Sequence, residues 1–289
     1  RGSQRELLMP NDTTGVNINN RGVDQNTFDA IVIGSGMSGG WAAKELCDHG
    51  LKTLVLERGR DVKHIKDYPT TNKNPWDFPH RGRMPIKTEK ENPIVARCYA
   101  YGESTDHFFV KDKEHPYVQE KPFDWIRGYQ VGGKSLLWAR ATQRWSKFDF
   151  EGAVRDGIAD WPIRYEELEP YYTQAEQLYH VHGRRGDDPT DPPASASYAF
   201  PPVSHEPRVQ EIADGLKRAG YRPAYAPTGI MLDEADRPHS RCIRCNSCDG
   251  YPCLVHAKAD AEVIAVTPAL QYPNVTLERN AHVQRLETD

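Results

Sequence analysis

The sequence predicts an α/β fold built on a parallel sheet, and three features of residues 28–57 carry that expectation. Ile31-Val32-Ile33 is a β-branched run suited to a buried parallel strand. Gly34, Gly36 and Gly39 then fill the glycine positions of a G-x-G-x-x-G turn that opens a helix through Trp41, Ala43 and Leu46. Thr53-Leu-Val-Leu56 follows as a second strand, with Gly50 placed to end the helix between them. Together they spell a dinucleotide-binding βαβ start. Gly34 permits the tight turn, Gly36 leaves room for a pyrophosphate beside the backbone, and Gly39 lets helix and strand lie close. The phosphates belong on the N–H groups and positive dipole end of the helix.

Glu57 follows Gly36 by 21 residues and closes the second strand. A carboxylate there accepts hydrogen bonds from ribose hydroxyls and repels a 2′-phosphate, which favours FAD or NAD over NADP.

Length and composition bound the rest. The 289 residues allow one large domain or two ordinary ones. With 38% hydrophobic residues and a mean hydropathy of −0.74, neither a membrane-spanning helix nor a secretory apolar segment is expected. Lys and Arg number 37 against 41 Asp and Glu, and no basic face suits nucleic acid. Residues 1–26, polar and rich in Asn and Gly, read as a disordered lead. A cytoplasmic setting is expected, with a periplasmic complex as the alternative. Residues 60–125 read as a long surface excursion, the kind of loop that covers a cofactor or makes a subunit contact.

A second glycine-rich segment, Arg127-Gly-Tyr-Gln-Val-Gly-Gly-Lys-Ser135, satisfies the P-loop expression through Gly128, Gly133, Lys134 and Ser135. A true P-loop follows a buried hydrophobic strand, whereas Gln119 to Trp125 is polar and carries Pro122. The segment reads instead as a second turn presenting backbone N–H groups to a nucleotide already held by the first.

These two segments resemble the glucose-methanol-choline family of flavoprotein oxidoreductases, whose hallmarks are a βαβ fingerprint ending in Glu-Arg, here Gly34 to Arg58, and a later R-G-x-x-x-G-G-x-S run, here Arg127 to Ser135. Trp138 after the glycine pair resembles the sugar-oxidising branch, which includes pyranose oxidases, glucoside 3-dehydrogenases and gluconate dehydrogenases. The resemblance implies a Rossmann-like FAD-binding domain of the p-hydroxybenzoate-hydroxylase kind with part of a substrate-binding domain. It implies FAD held by Gly34, Gly36, Ser38, Gly39, Glu57, Arg58, Gly132, Gly133, Ser135 and Val283. Where pyranose oxidases carry a flavin-linking His this chain has Leu137, so the FAD is noncovalent. The implied activity is oxidation of a sugar or glycoside hydroxyl, in which a His removes the hydroxyl proton as hydride passes to the flavin. An NAD-linked dehydrogenase would share the first motif but not the second glycine turn.

The implied boundaries are a first FAD-binding part over 27–150, a helical substrate-side region over 151–240, and a Cys-rich segment returning to the FAD domain over 241–289. Pro170 is expected in the first turn of a helix carrying Ala175 and Leu178. Val209, Ile212, Ala213 and Leu216 form one apolar face of a helix over 207–220, expected to pack in the core. Asn274 to Val283 resembles the strand pair that returns to the FAD domain. The family's catalytic His and its His or Asn partner belong to a half of the fold expected on a companion polypeptide or on the remainder of the same protein. His205, His239, His256 and His282 are read as surface or core histidines.

Cys242, Cys245, Cys248 and Cys253 crowd into twelve residues, while Cys47 and Cys98 stand apart. The C-x₂-C-x₂-C spacing with a fourth Cys close behind is compatible with iron–sulfur ligation. Zinc, or two local disulfides or free thiols, are the alternatives. An iron–sulfur cluster here implies an electron-acceptor protein and a dehydrogenase rather than an oxidase. The rival assignment is a non-catalytic flavin and iron–sulfur subunit of a larger dehydrogenase complex.

Overall fold

A short β-branched run before a glycine turn forms strand β1, Ala30–Ile33, and the turn delivers the chain into helix α1, Met37–Asp48. Helix α1 ends where the sequence places Gly50. Its φ of +82° lets its N–H reach Cys47 O at 2.9 Å while Leu51 N reaches Leu46 O at 3.1 Å, the paired bonds of a Schellman cap. Strand β2, Thr53–Leu56, then pairs in parallel with β1, Ala30 opposite Thr53 and Ile33 opposite Leu56. The computed structural model describes residues 27–71, 73–157 and 160–288. The expected disordered lead, 1–26, lies outside them.

The chain divides into two compact units, one holding the chain up to Ser135 together with Ala265 onward, the other Leu136–Ile264. This differs from the boundaries expected at 150 and 240. The division falls at the end of the second glycine segment, after Ser135, and the cysteine segment belongs wholly to the second unit.

In the first unit the sheet has the order β1, β2, β5, with β5, Val275–Glu278, parallel to β2. Val32, Ala43, Cys47, Val55, Val131, Val266, Ala269, Val275 and Leu277 form one core under it. Asn274 locks β5 in place by donating to Cys47 O and Leu51 O at 3.1 and 2.8 Å, so the returning segment is stitched to the end of α1. The expected strand pair is a single strand. After Glu278 the chain turns at Asn280, whose φ is +55°, and runs on as coil through Val283. Strand β1 is at the sheet edge and buries only Val32. Ile31 and Ile33, expected to be buried, are 60% and 50% exposed because no described element covers their face.

Residues 60–125 are more than a surface excursion. They include helix α2, Ile86–Glu91, and bury Val62, Tyr68, Val95, Tyr101, Phe108, Phe109 and Val110. Aromatic edges make this subcore: Tyr101 meets Phe109 edge-on at 5.6 Å and Tyr68 meets Phe108 at 6.4 Å. Its apolar residues are spaced irregularly because they pack through turns, not through a helix face or a strand.

The second unit carries α3, Lys147–Arg155, α4, Tyr165–Leu178, and α5, Pro207–Arg218, with a two-stranded antiparallel ribbon of β3, Val181–His182, and β4, Thr228–Gly229. Helix α4 starts five residues before Pro170, so that proline lies inside it. Glu167 accepts from Arg164 N at 2.8 Å and sets the earlier start. The carbonyl that Pro170 leaves unpaired is that of exposed Glu166, which water can solvate. Helix α5 begins at Pro207 as expected, yet its apolar face is mostly uncovered. Ala213 is buried, whereas Val209 and Ile212 are 47% and 51% exposed. A short helix α6, Thr267–Ala269, follows a π-turn at Glu262–Val266 and leads back to β5. Among the described residues no helix is long and apolar enough to cross a membrane.

Arg144, buried, fastens α4 within the second unit. Its guanidinium donates to both oxygens of Glu176 at 2.7 and 2.8 Å, to Glu169 at 2.9 Å and to Thr173 at 2.9 Å. The Ser195 backbone N–H, with Arg144 beside it, holds the Glu169 carboxyl down at about 2. A carboxyl depressed in the folded state stabilises above its ordinary range near 4.5 and loses that contribution as pH falls toward 2. Thermal midpoints measured across that window should fall with acid, and Glu169→Gln should show a shallower fall. Parallel profiles for the two proteins would remove Glu169 from the acid response.

Candidate nucleotide-binding site

The site lies in the first unit, where the two glycine segments meet. Gly34 has a φ of +90° and donates to Leu56 O at 2.8 Å, which turns the chain out of the sheet. A Cβ at Gly39 would fall 1.9 Å from the Gly34 carbonyl oxygen, so only glycine lets α1 leave the turn at this angle. Gly36 caps α1 without a side-chain acceptor, and the first helical turn carries no acid. The first-turn N–H groups and the helix dipole therefore present an anion-binding end. Ser38 is exposed in that turn.

The second segment packs directly on the first. Gly132 and Gly133 have φ of +81° and +60°, and a Cβ at Gly133 would lie 3.1 Å from Gly36 Cα. Ser135 Oγ donates to Gly132 O at 2.6 Å and closes the turn. Val131 N bonds Arg60 O at 3.0 Å, which ties the segment to the chain just after β2. No strand precedes this turn, and a 3₁₀ turn rather than an α-helix follows at Gly133–Leu137. The P-loop match thus lacks both flanking elements.

Glu57 is buried where the segments meet. Its Oε2 accepts from Ser35 N at 2.9 Å and Ser35 Oγ at 2.6 Å, and its Oε1 accepts from Gly59 N at 2.7 Å. Ser35 Oγ in turn accepts from Gly132 N at 3.2 Å. One carboxylate thus organises the first turn directly and the second through a single hydroxyl. Three protein donors occupy much of its acceptor capacity, so in this geometry Glu57 shapes the turn as well as facing any ribose.

The other sequence-derived positions divide. Arg58 stacks over the Tyr129 ring, 4.0 Å from its centroid, with His115 Nδ1 at 3.4 Å. Val283 lies half-buried in the coil after β5, three residues past Asn280, whose N–H bonds Gly59 O at 2.9 Å. Ala281 N bonds Glu57 O at 2.8 Å, so the returning chain also fastens at the same acidic residue. Ser35, Gly59 and Tyr129 were not singled out from sequence. A Cβ at Gly59 would lie 2.0 Å from the Tyr129 carbonyl carbon, a close approach that the glycine after Glu57-Arg58 could have signalled.

The cysteine segment lies in the second unit. Among the described residues no three His, Cys, Asp or Glu side chains gather as metal ligands, and all six cysteines are free. Cys242 is buried and Cys245 exposed; Arg244 N donates to Cys242 Sγ at 3.4 Å and Ala257 N to Cys253 Sγ at 3.3 Å. Burial pushes the Cys242 and Cys248 thiols up. The four thiols are unbonded to one another, which matches the free-thiol form of the alternative to a cluster. None of the four set-aside histidines is placed as a base: His205 stacks on Tyr225 at 4.3 Å, His239 pairs with Asp236, His256 has a φ of +48° and His282 is exposed.

No family model matches the chain. It is 25% identical to the gluconate 2-dehydrogenase flavoprotein of Pantoea cypripedii over 89% of its own length and 45% of that protein's. It is 27% identical to paromamine 6′-oxidase of Streptomyces fradiae, over 92% and 42% of the two lengths. The large subunit of fructose dehydrogenase from Gluconobacter japonicus is 29% identical, over 90% and 46%. These similarities are consistent with the resemblance to the glucose-methanol-choline oxidoreductases. It spans under half the length of each of these three relatives.

Two substitutions test the geometry. Ser35→Ala leaves Gly132 N without its acceptor and removes a donor from buried Glu57, and should cost about 1–3 kcal/mol in denaturant unfolding. Gly39→Ala should cost about 3 kcal/mol, since backbone rather than a flexible side chain must move. Unfolding midpoints equal to the parent's for both would show that the two turns are not joined as described.

Proposed function

We propose that this chain forms the flavin-nucleotide cradle of an FAD-dependent oxidoreductase that acts on a CH–OH group of a sugar or glycoside. The observation that carries the reading is the contact between the two glycine turns, with Ser35 joining Glu57 to Gly132 N beside the uncapped start of α1. That combination supplies what a dinucleotide needs: close backbone approach, an anion-binding helix end and a fixed carboxylate. The names of the relatives support the substrate class, since they act on gluconate, paromamine and fructose.

The residues present fit FAD. Gly34, Gly36, Ser38 and Gly39 hold the pyrophosphate, Glu57 faces the ribose with whatever acceptor capacity Ser35 and Gly59 leave, and Gly132, Gly133 and Ser135 supply a second bank of backbone groups. Arg58, fixed on Tyr129, sets positive charge close by, and Val283 offers its backbone on the adenine side. When bound, FAD supplies a hydride acceptor for alcohol oxidation. What this chain's residues do is bind, orient and shield. The base that takes the hydroxyl proton is assigned to the part of the relatives' length that the match leaves uncovered. Leu137 offers no nucleophile for a covalent link, so the flavin is held noncovalently.

The purified chain, loaded with FAD, should be yellow and should release all its flavin into the supernatant on acid precipitation. Glu57→Ala should weaken FAD retention at least tenfold, since each charge-assisted hydrogen bond lost is worth about 1.5–3 kcal/mol. Glu57→Gln should be milder. Flavin that stays with the acid pellet would overturn the noncovalent reading, and a chain that never binds FAD would overturn the cradle itself.

A further inference from the structure

Lys258 has no exposed surface, and its ammonium meets no carboxylate. Nζ lies instead within hydrogen-bond reach of four backbone carbonyls, Leu136 O and Tyr251 O at 2.6 Å each and Trp138 O and Cys248 O at 3.1 Å each, so its three N–H groups are shared among four oxygens. Two oxygens come from the segment Leu136–Trp138 and two from the turn Cys248–Tyr251. One backbone bond also joins the same segments, from Gly250 N to Leu137 O at 2.9 Å. The lysine's own backbone is fixed from behind, by the antiparallel bridge of Lys258 with Ile230 and the bond from Met231 N to Ala257 O at 2.8 Å. Ala257, Ala259 and Ala261 around it are buried and carry no polar side-chain atoms.

A buried ammonium with no carboxylate among its hydrogen-bond acceptors needs its hydration shell replaced by dipoles. Four carbonyl oxygens fixed by the chain do that in the way proteins coordinate a bare monovalent cation. We propose that these four carbonyls form a monovalent-cation site filled by the chain's own Lys258 ammonium, which clamps the cysteine turn onto the Leu136–Trp138 segment. The site stands whether or not the chain binds flavin, because every group in it belongs to the second unit and none is assigned to the cradle. The charged groups facing it are Asp260, whose carboxylate favours the ammonium, and Arg140, whose guanidinium opposes it; the Cys248 and Cys253 thiols lie close by. Burial lowers the ammonium to about 8, which leaves it charged at neutral pH. Neither Asp260 nor the thiols are among the hydrogen-bond acceptors, so the carbonyls make the direct contacts of the clamp while Asp260 adds attraction from further off.

The test is chemical rescue. Lys258→Ala removes the chain from Cγ to Nζ, which n-propylammonium reproduces atom for atom. Its thermal midpoint should fall, and n-propylammonium or potassium should raise it again where tetramethylammonium at equal ionic strength does not. Cys248 should be alkylated at least tenfold faster in Lys258→Ala than in the parent, and n-propylammonium should slow that labelling. Lys258→Met, whose thioether fills the space, should respond to neither cation. A Lys258→Ala protein that labels at the parent rate and is indifferent to all three cations would overturn the proposal. Should that variant fold only poorly, the parent provides a second readout. The Gly250 amide should be strongly protected from hydrogen exchange, and an amide exchanging at the rate of open chain would overturn the clamp directly.

Discussion

The Glu57 carboxylate joins what the chain keeps apart. It sits at the end of β2, accepts the N–H and hydroxyl of Ser35 from the first glycine turn, and through that hydroxyl acts on the Gly132 N–H, 97 residues from Ser35 in sequence. A buried carboxylate tolerates burial only when its lone pairs are filled, and Gly59 N fills a third. The ladder between β1 and β2, the exit of α1 and the second turn are therefore mutually dependent. Loss of any one donor leaves part of a buried carboxylate's acceptor capacity unfilled, which is why so small a site can be held with little regular structure in its second half.

Close approach is the second constraint, and it explains which glycines are needed. At Gly39 the obstacle to any side chain is the Gly34 carbonyl, at Gly59 the Tyr129 backbone, and at Gly133 the Cα of Gly36. All three are backbone atoms that cannot rotate away. The result is a surface made of main chain, rich in N–H groups and poor in side chains, which suits a phosphate-bearing ligand better than a site made of flexible cations. The helix dipole of α1 points at it with no acid in its first turn to compete.

The second unit depends on cations instead. Arg144 collects Glu176, Glu169 and Thr173 from one face of α4 together with the Tyr165 hydroxyl. Arg244, at a φ of +54°, binds Glu206, Glu234 and the Ser204 carbonyl and so anchors the start of the cysteine segment. Lys258 holds its far end through carbonyls alone. With only a two-stranded ribbon and three longer helices, this unit has few ladder bonds for its loops. Long side chains with several donors do that work.

What the sequence determined by itself was the βαβ start. The glycine spacing, the Schellman end at Gly50 and the acid after β2 all lie within one βαβ crossover, whose parallel strands and helix carry recognisable patterns, so they are readable along the chain. The second glycine turn was also legible, and so was the reason to reject it as a P-loop. Only the tertiary structure decided that Ser35 links the two turns, that Glu57 is largely occupied by protein donors, and that β5 lies beside β2. It also decided that Ile31, Ile33 and the α5 face stay uncovered, and that the cysteines remain separate while a lysine ten residues past Cys248 gathers their turn. The physical reason is separation: Lys258 meets Leu136 across 122 positions, and Asn274 meets Cys47 across 227. Composition and periodicity report how a segment buries its own surface, and carry no record of which distant carbonyl its polar end will find.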